Sequence, residues 1–238
     1  LKRVVLAVAM CASVLLLSTR AGATDMPEKW ELKFGFIKLT DMVPLAVAYE
    51  KGFFEDEDLT VTLEAQANWK VLFDRVSSGE LDGAHMLAPM PLGTASGVLG
   101  NTPIIAPFTL SYNGAAITVS NAVWAQMRPG VALEGDKPKH PISATALNPV
   151  LESYAKDGKN LNLGMTFPVG THNYMLRYWL AAGGINPGLY APEKGDSSGT
   201  VGAQAFLSVV PPPQMVPTME AGTTVGYCVG EPWNQQAV

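Results

Sequence analysis

Two hydrophobic periods alternate along this chain. Over residues 31–37 (ELKFGFI) every second position is large and apolar, the spacing of a strand with one covered face. A polar loop over 38–41 follows, and Pro44 then suits a first helical turn. Leu45, Val47, Ala48 and Phe53 are expected to form that helix's buried side, with Gly52 ending it. Residues 59–65 read as the next strand and 69–76 as a helix stopped by Gly79. Residues 81–87 (LDGAHML) suggest a short buried strand, and 89–98 a helix or turn. Strands over 104–112 and 116–120 are expected around the Asn113-Gly114 turn signal.

A second run repeats the pattern. It has a helix over 148–156, a strand over 163–168 and a helix over 172–182 closed by Gly183-Gly184. A strand over 206–210, a helix over 213–220 and a strand over 225–229 complete it. Strands alternating with helices predict an α/β protein with parallel-rich sheets covered on both faces. The two runs meet near Ser120, the expected boundary between lobe 1 (24–120) and lobe 2 (121–238). Residues 127–141, rich in Pro, Gly and charge, and 188–202, rich in Gly and Ser, read as insertions.

The first two dozen residues change the picture. Lys2 and Arg3 precede an apolar run over 4–17, and Ala21-Gly22-Ala23 offers the small-x-small pattern of a cleavage site. That run is short of the roughly 20 residues a membrane span needs. A signal peptide over 1–23 is therefore expected, with a periplasmic or membrane-associated mature protein. Leu1 in place of Met and a stop at Val238 in mid-pattern make a fragment, with an incomplete second lobe, the expected reading.

The formal charge of −5 becomes −8 once Lys2, Arg3 and Arg20 leave with the leader. Such an acidic chain is a poor match for nucleic acid or an anionic membrane surface. A small anion in a closed cleft is a different matter, because local donors decide its binding. Of the two cysteines only Cys228 remains after cleavage, which excludes an intrachain disulfide in the mature chain.

Open α/β sheets bind ligands at the carboxyl ends of their strands. Those positions are 38–41, 66–69, 85–91, 170–173 and 211–214. Gly170-Thr171-His172 leads from a strand into a helix, where exposed N–H groups attract anions and Thr and His add side-chain donors. Thr171 could equally be a plain N-cap, with His172 a first-turn residue. Trp69 stands at a loop-to-helix junction, where its indole N–H could donate to an anion or its ring could serve only the core. His85 follows the short strand and reads as a satisfied core histidine rather than a ligand group. Glu231 either caps a helix or faces the cleft. Gly-x-Ser-x-Gly, P-loop, GxGxxG and HExxH motifs are absent, and no Cys/His spacing demands a metal. A binder with no catalytic residue, no metal and no cofactor is expected.

The blocks GFIKLTDMVPLAVAYEKGFF, LDGAHMLAPMP, NGAAITVS, GMTFPVGTHNYMLRYWLAAGGINP, VVPPPQMVPTMEAG and YCVGEPWN, in this order, carry a family likeness. Together they resemble the substrate-binding proteins of nitrate and bicarbonate ABC importers, the NrtA/CmpA-like family, over most of residues 32–236. The resemblance implies a two-lobed periplasmic-binding-protein fold that closes on an anion and delivers it to a permease and its ATPase. It also implies ligand contacts from Trp69 and His172. A glutamine and a lysine complete the family's set. Ala115 stands where that glutamine would be, and the lysine lies beyond CVGEPWN. Nitrate or nitrite is the expected ligand, with bicarbonate as the alternative. A nitrate sensor is the alternative to a transport component, and residues 1–23 weigh against a cytoplasmic one.

Overall fold

The computed structural model describes residues 27–112, 114–191 and 196–238. The expected signal peptide and Asn113 of the turn signal lie outside the described residues.

The first run folds as β1 (Glu31–Phe36), α1 (Val43–Glu50), β2 (Thr60–Ala65), α2 (Trp69–Ser77), β3 (Gly83–Ala84) and α3 (Pro89–Ala95). Its three strands form a parallel sheet in the order β2-β1-β3, with Glu31 opposite Thr60 and Phe34 opposite Gly83. Asn68 caps α2 by accepting the Val71 N–H at 2.9 Å, as its place before an amphipathic run predicts. Gly79, which follows α2, has φ of +77°, a conformation that glycine adopts without strain.

The second run contains β4 (Ala115–Val119), α4 (Asn121–Met127), β5 (Leu133–Glu134), β6 (Lys137–Pro138), α5 (Asn148–Lys156) and β7 (Leu161–Met165). It continues with α6 (Thr171–Ala182), β8 (Leu189–Ala191), β9 (Asp196–Val201), β10 (Ala205–Val209), α7 (Met215–Glu220) and β11 (Gly226–Gly230). The second sheet has the order β10-β7-β11-β4, parallel except for the antiparallel edge strand β4. Every residue of β11 (GYCVG) is buried, as in a strand covered on both faces. Each segment read as an insertion holds a two-stranded ribbon, β5–β6 or β8–β9.

Leu147, Val150, Leu163, Leu176, Leu180 and Cys228 pack into a core on the second sheet. A further cluster joins the two units. Ile37, Trp69 and Leu72 from the first meet Phe167, Met215, Tyr227 and Val229 from the second. Two long-range bonds tie the same seam: Thr40 N–H donates to the Glu231 carbonyl at 2.8 Å, and the Trp233 indole to the Lys38 carbonyl at 2.9 Å.

Several expectations need correction. The sheets divide upstream of Ser120, because β4 already pairs with β11. Helix α1 has no buried residue; Val47 and Phe53 are 43% and 55% exposed. Its apolar residues surround the helix rather than forming one stripe, so periodicity assigns it no inner face. Residues 104–112 form no strand: Pro103 and Pro107 supply no ladder N–H, and Ile105, Phe108 and Tyr112 are exposed. Only Gly83 and Ala84 of the 81–87 segment are strand. Helix α4, capped by Ser120, was not expected at all.

Replacing Leu163→Ala, at a fully buried position in β7, should lower unfolding free energy by about 2–5 kcal/mol. Denaturant unfolding would check this; a loss below about 1 kcal/mol would contradict the assigned core.

Candidate functional site

A cavity of about 1000 Å³ opens beside the carboxyl end of β3 and the first turn of α6. Asp41, His85, Thr171 and His172 line it, together with Gly114, Ala115 and Gly230. Asp41 sits in the 3-10 turn Thr40–Met42 after β1, and the bond from Thr40 to Glu231 anchors that turn. His85 directly follows β3, with its N–H donating to the Gly35 carbonyl at 2.9 Å. Gly170 is the extended N-cap of α6, which places Thr171 and His172 in the first turn.

Three polar atoms around this cavity are buried without a hydrogen-bond partner. His85 is 2% exposed, and its Nε2 lies 3.0 Å from Asp41 Oδ2. Its other ring nitrogen, Nδ1, has no partner, and neither has Asp41 Oδ1. The Trp69 ring meets His85 edge-on, with centroids 5.2 Å apart at 66°. The indole Nε1 of that fully buried tryptophan is the third unpartnered atom. Burying such groups unpaired is costly, so their clustering beside an open cavity points to a guest that supplies the partners.

His172 completes the wall. Its Nδ1 lies 2.8 Å from the Thr166 hydroxyl, in a buried contact. With that nitrogen engaged, Nε2 is the ring atom left for the cavity. Burial pushes the His172 imidazole down to about 4, against a smaller opposing pull from Asp41. The ring is therefore neutral near pH 7, a donor at one nitrogen only.

Three of the loops nominated from sequence, 38–41, 85–91 and 170–173, meet at this cavity. Trp69 of the 66–69 loop stands behind His85 rather than on the cavity wall. Gln66 is taken by Arg75 and the Glu64 carbonyl, and the 211–214 loop does not line the cavity. Thr171 is not the N-cap; Gly170 holds that place, because a Cβ there would come within 2.9 Å of Leu87 Cδ1 and the Phe167 carbonyl. His85 is not a satisfied core residue, since one ring nitrogen is orphaned. Glu231 caps a turn, accepting the Gln235 N–H at 3.2 Å. Asp41 lies in the nominated 38–41 loop without being singled out there, and its nearness in space to two histidines is what marks it. Among the described residues no group of three or more His, Cys, Asp or Glu is placed to hold a metal ion.

Two α/β units joined by an apolar seam, with a largely apolar cavity carrying a few polar groups at their strand ends, have the fold of the two-lobed periplasmic binding proteins. The chain belongs to the NMT1-like family, which it matches over residues 25–238. It is 40% identical to the nitrate/nitrite binding protein NrtA of Nostoc over 217 residues, covering 89% of this chain and 43% of that protein. It is 38% identical to the bicarbonate transport ATP-binding protein CmpC of Synechocystis, covering 92% of this chain and 29% of that one. The crystal structure of the periplasmic nitrate-binding protein NrtA from Synechocystis superposes with a TM-score of 0.70 at 34% identity, covering 90% of this chain and 50% of that one. The chain thus spans half or less of the length of these relatives.

His172 gives a pH signature of stability. Its folded value, about 4, lies below the unfolded value of 6.5, so below pH 6.5 the unfolded chain binds the extra proton. Stability is present above about pH 6.5 and is lost as pH falls towards about 4, by up to about 3 kcal/mol. Urea unfolding of wild type and His172→Asn between pH 7 and 4 should show a shallower slope in the variant. Parallel slopes would contradict a buried neutral imidazole.

Proposed function

We propose that this chain is the anion-holding part of a periplasmic solute-binding protein of an ABC importer, and that its ligand is nitrate or nitrite. The observation that carries this reading is the grouping of N–H donors at and just behind one cavity wall. Neutral His172 and Thr171, in the first turn of α6, line the cavity, and behind His85 the Trp69 indole N–H is buried with no acceptor. A planar oxyanion accepts from several such donors at once, and exclusion of water strengthens each bond. The likeness to nitrate-binding proteins supports the same ligand.

The chain holds its ligand without altering it. The lobes close over the anion, and the closed form docks on a membrane permease served by an ATPase. An exported, periplasmic protein suits that role.

Bicarbonate is the second reading, favoured by one observation. Asp41 Oδ1 is a buried acceptor without a donor, and bicarbonate, unlike nitrate, carries an O–H.

Isothermal titration of the full chain should show one saturable site for nitrate. Trp69→Phe, which keeps an aromatic ring and removes the donor, and His172→Ala should each weaken binding at least about tenfold, the loss of one hydrogen bond to a charged ligand. Saturable heat with bicarbonate and none with nitrate would reject the nitrate reading.

A further inference from the structure

We propose that Thr166 is a positioning residue of this cavity: its hydroxyl donates to His172 Nδ1 and so makes Nε2 the protonated ring nitrogen, the one presented to a ligand. The inference rests on the nitrate reading above for the ligand alone and adds the residue that sets the donor.

A neutral imidazole carries one N–H and one bare nitrogen, and the group bonded to either of them decides which is which. The His172 ring is neutral near pH 7, since burial pushes it down to about 4. Its two neutral forms offer a ligand opposite chemistry. With the proton on Nε2 the cavity gains a donor for an oxyanion oxygen. With the proton on Nδ1 it gains a lone pair that repels the same oxygen.

Thr166 Oγ1 lies 2.8 Å from His172 Nδ1 and has no other hydrogen-bond partner among the described residues. A threonine hydroxyl has one hydrogen to give and two lone pairs to accept with. Were Nδ1–H the donor, the hydroxyl hydrogen would need a second acceptor. None is in place: Thr166 is 1% exposed and does not line the cavity. That arrangement would leave a buried donor unpaired, which is costly. With the hydroxyl donating, its hydrogen and the bare Nδ1 satisfy each other, and Nε2 keeps the ring proton.

The backbone holds this pair in place. Thr166 directly follows β7, between Met165 of the second-sheet core and Phe167 of the seam. The Val210 N–H donates to the Met165 carbonyl at 2.8 Å. Further along the same loop, Asn173 Nδ2 of α6 donates to the Pro168 carbonyl at 2.8 Å, which ties the first turn of α6 to the loop. A β-branched side chain on so fixed a backbone keeps few rotamers, so the hydroxyl has little freedom to turn away.

The test is NMR of the ring nitrogens in the ligand-free full chain at pH 7.5. The chain has three histidines, and the His172 signals are assigned by their loss in His172→Asn. The wild type should show His172 protonated at Nε2 and bare at Nδ1. Thr166→Val, which removes the hydroxyl at similar volume, should show a mixture of both ring forms. In titration calorimetry it should bind nitrate about fivefold more weakly, the effect of one neutral hydrogen bond. Thr166→Ser, which restores the hydroxyl, should return the single ring form and the affinity. A wild-type ring protonated at Nδ1, or a Thr166→Val ring left wholly in the Nε2–H form, would overturn this inference whichever anion binds. The expected ring forms with no heat from nitrate would support the role of Thr166 and reject the nitrate reading alone.

Discussion

A buried polar atom in a folded protein needs a partner, and around one cavity of this chain three lack one. Trp69 Nε1, His85 Nδ1 and Asp41 Oδ1 have no hydrogen-bond partner in the surrounding protein. The apolar seam between the two units puts them there. Ile37, Trp69, Phe167, Met215 and Tyr227 fix how the sheets meet, and the strand ends and the start of α6 frame the space that remains. The site follows from that packing, since the residues that need a guest are held by residues that exclude water.

The donors and acceptors are not alike. His172 is set by its surroundings as a neutral ring with one nitrogen on Thr166, and its charge does not vary near neutral pH. His85 is set differently, with one nitrogen on a carboxylate and the other free. Two histidines in one cavity thus meet different partners, a hydroxyl for His172 and a carboxylate for His85. Their difference comes from those partners rather than from the residue type.

Much of the architecture was legible from periodicity. The parallel β-α alternation and the position of His172 in a first helical turn follow from local pattern. What failed had a non-local cause. Helix α1 is apolar all round, so no stripe told its inner face from its outer one. The β-rich segment at 104–112 lacks a partner strand, which a single segment cannot reveal. Strand β4 pairs with β11, more than a hundred residues away, a partner that no local pattern shows. At the site, Trp69 and His172 stood out by their junctions. Asp41 and the unsatisfied side of His85 did not, because an ion pair between two loops leaves no spacing in the sequence. Family likeness supplied the ligand class, which no local pattern could.

The proposed role of these orphaned groups is to hold one small oxyanion. A crystal structure of the full chain grown with nitrate tests it most directly. The expected result is a single planar anion in the cavity, within hydrogen-bonding distance of Trp69 Nε1 and His172 Nε2. Nitrate bound elsewhere, with ordered water or another side chain satisfying Trp69 and His85, would contradict it.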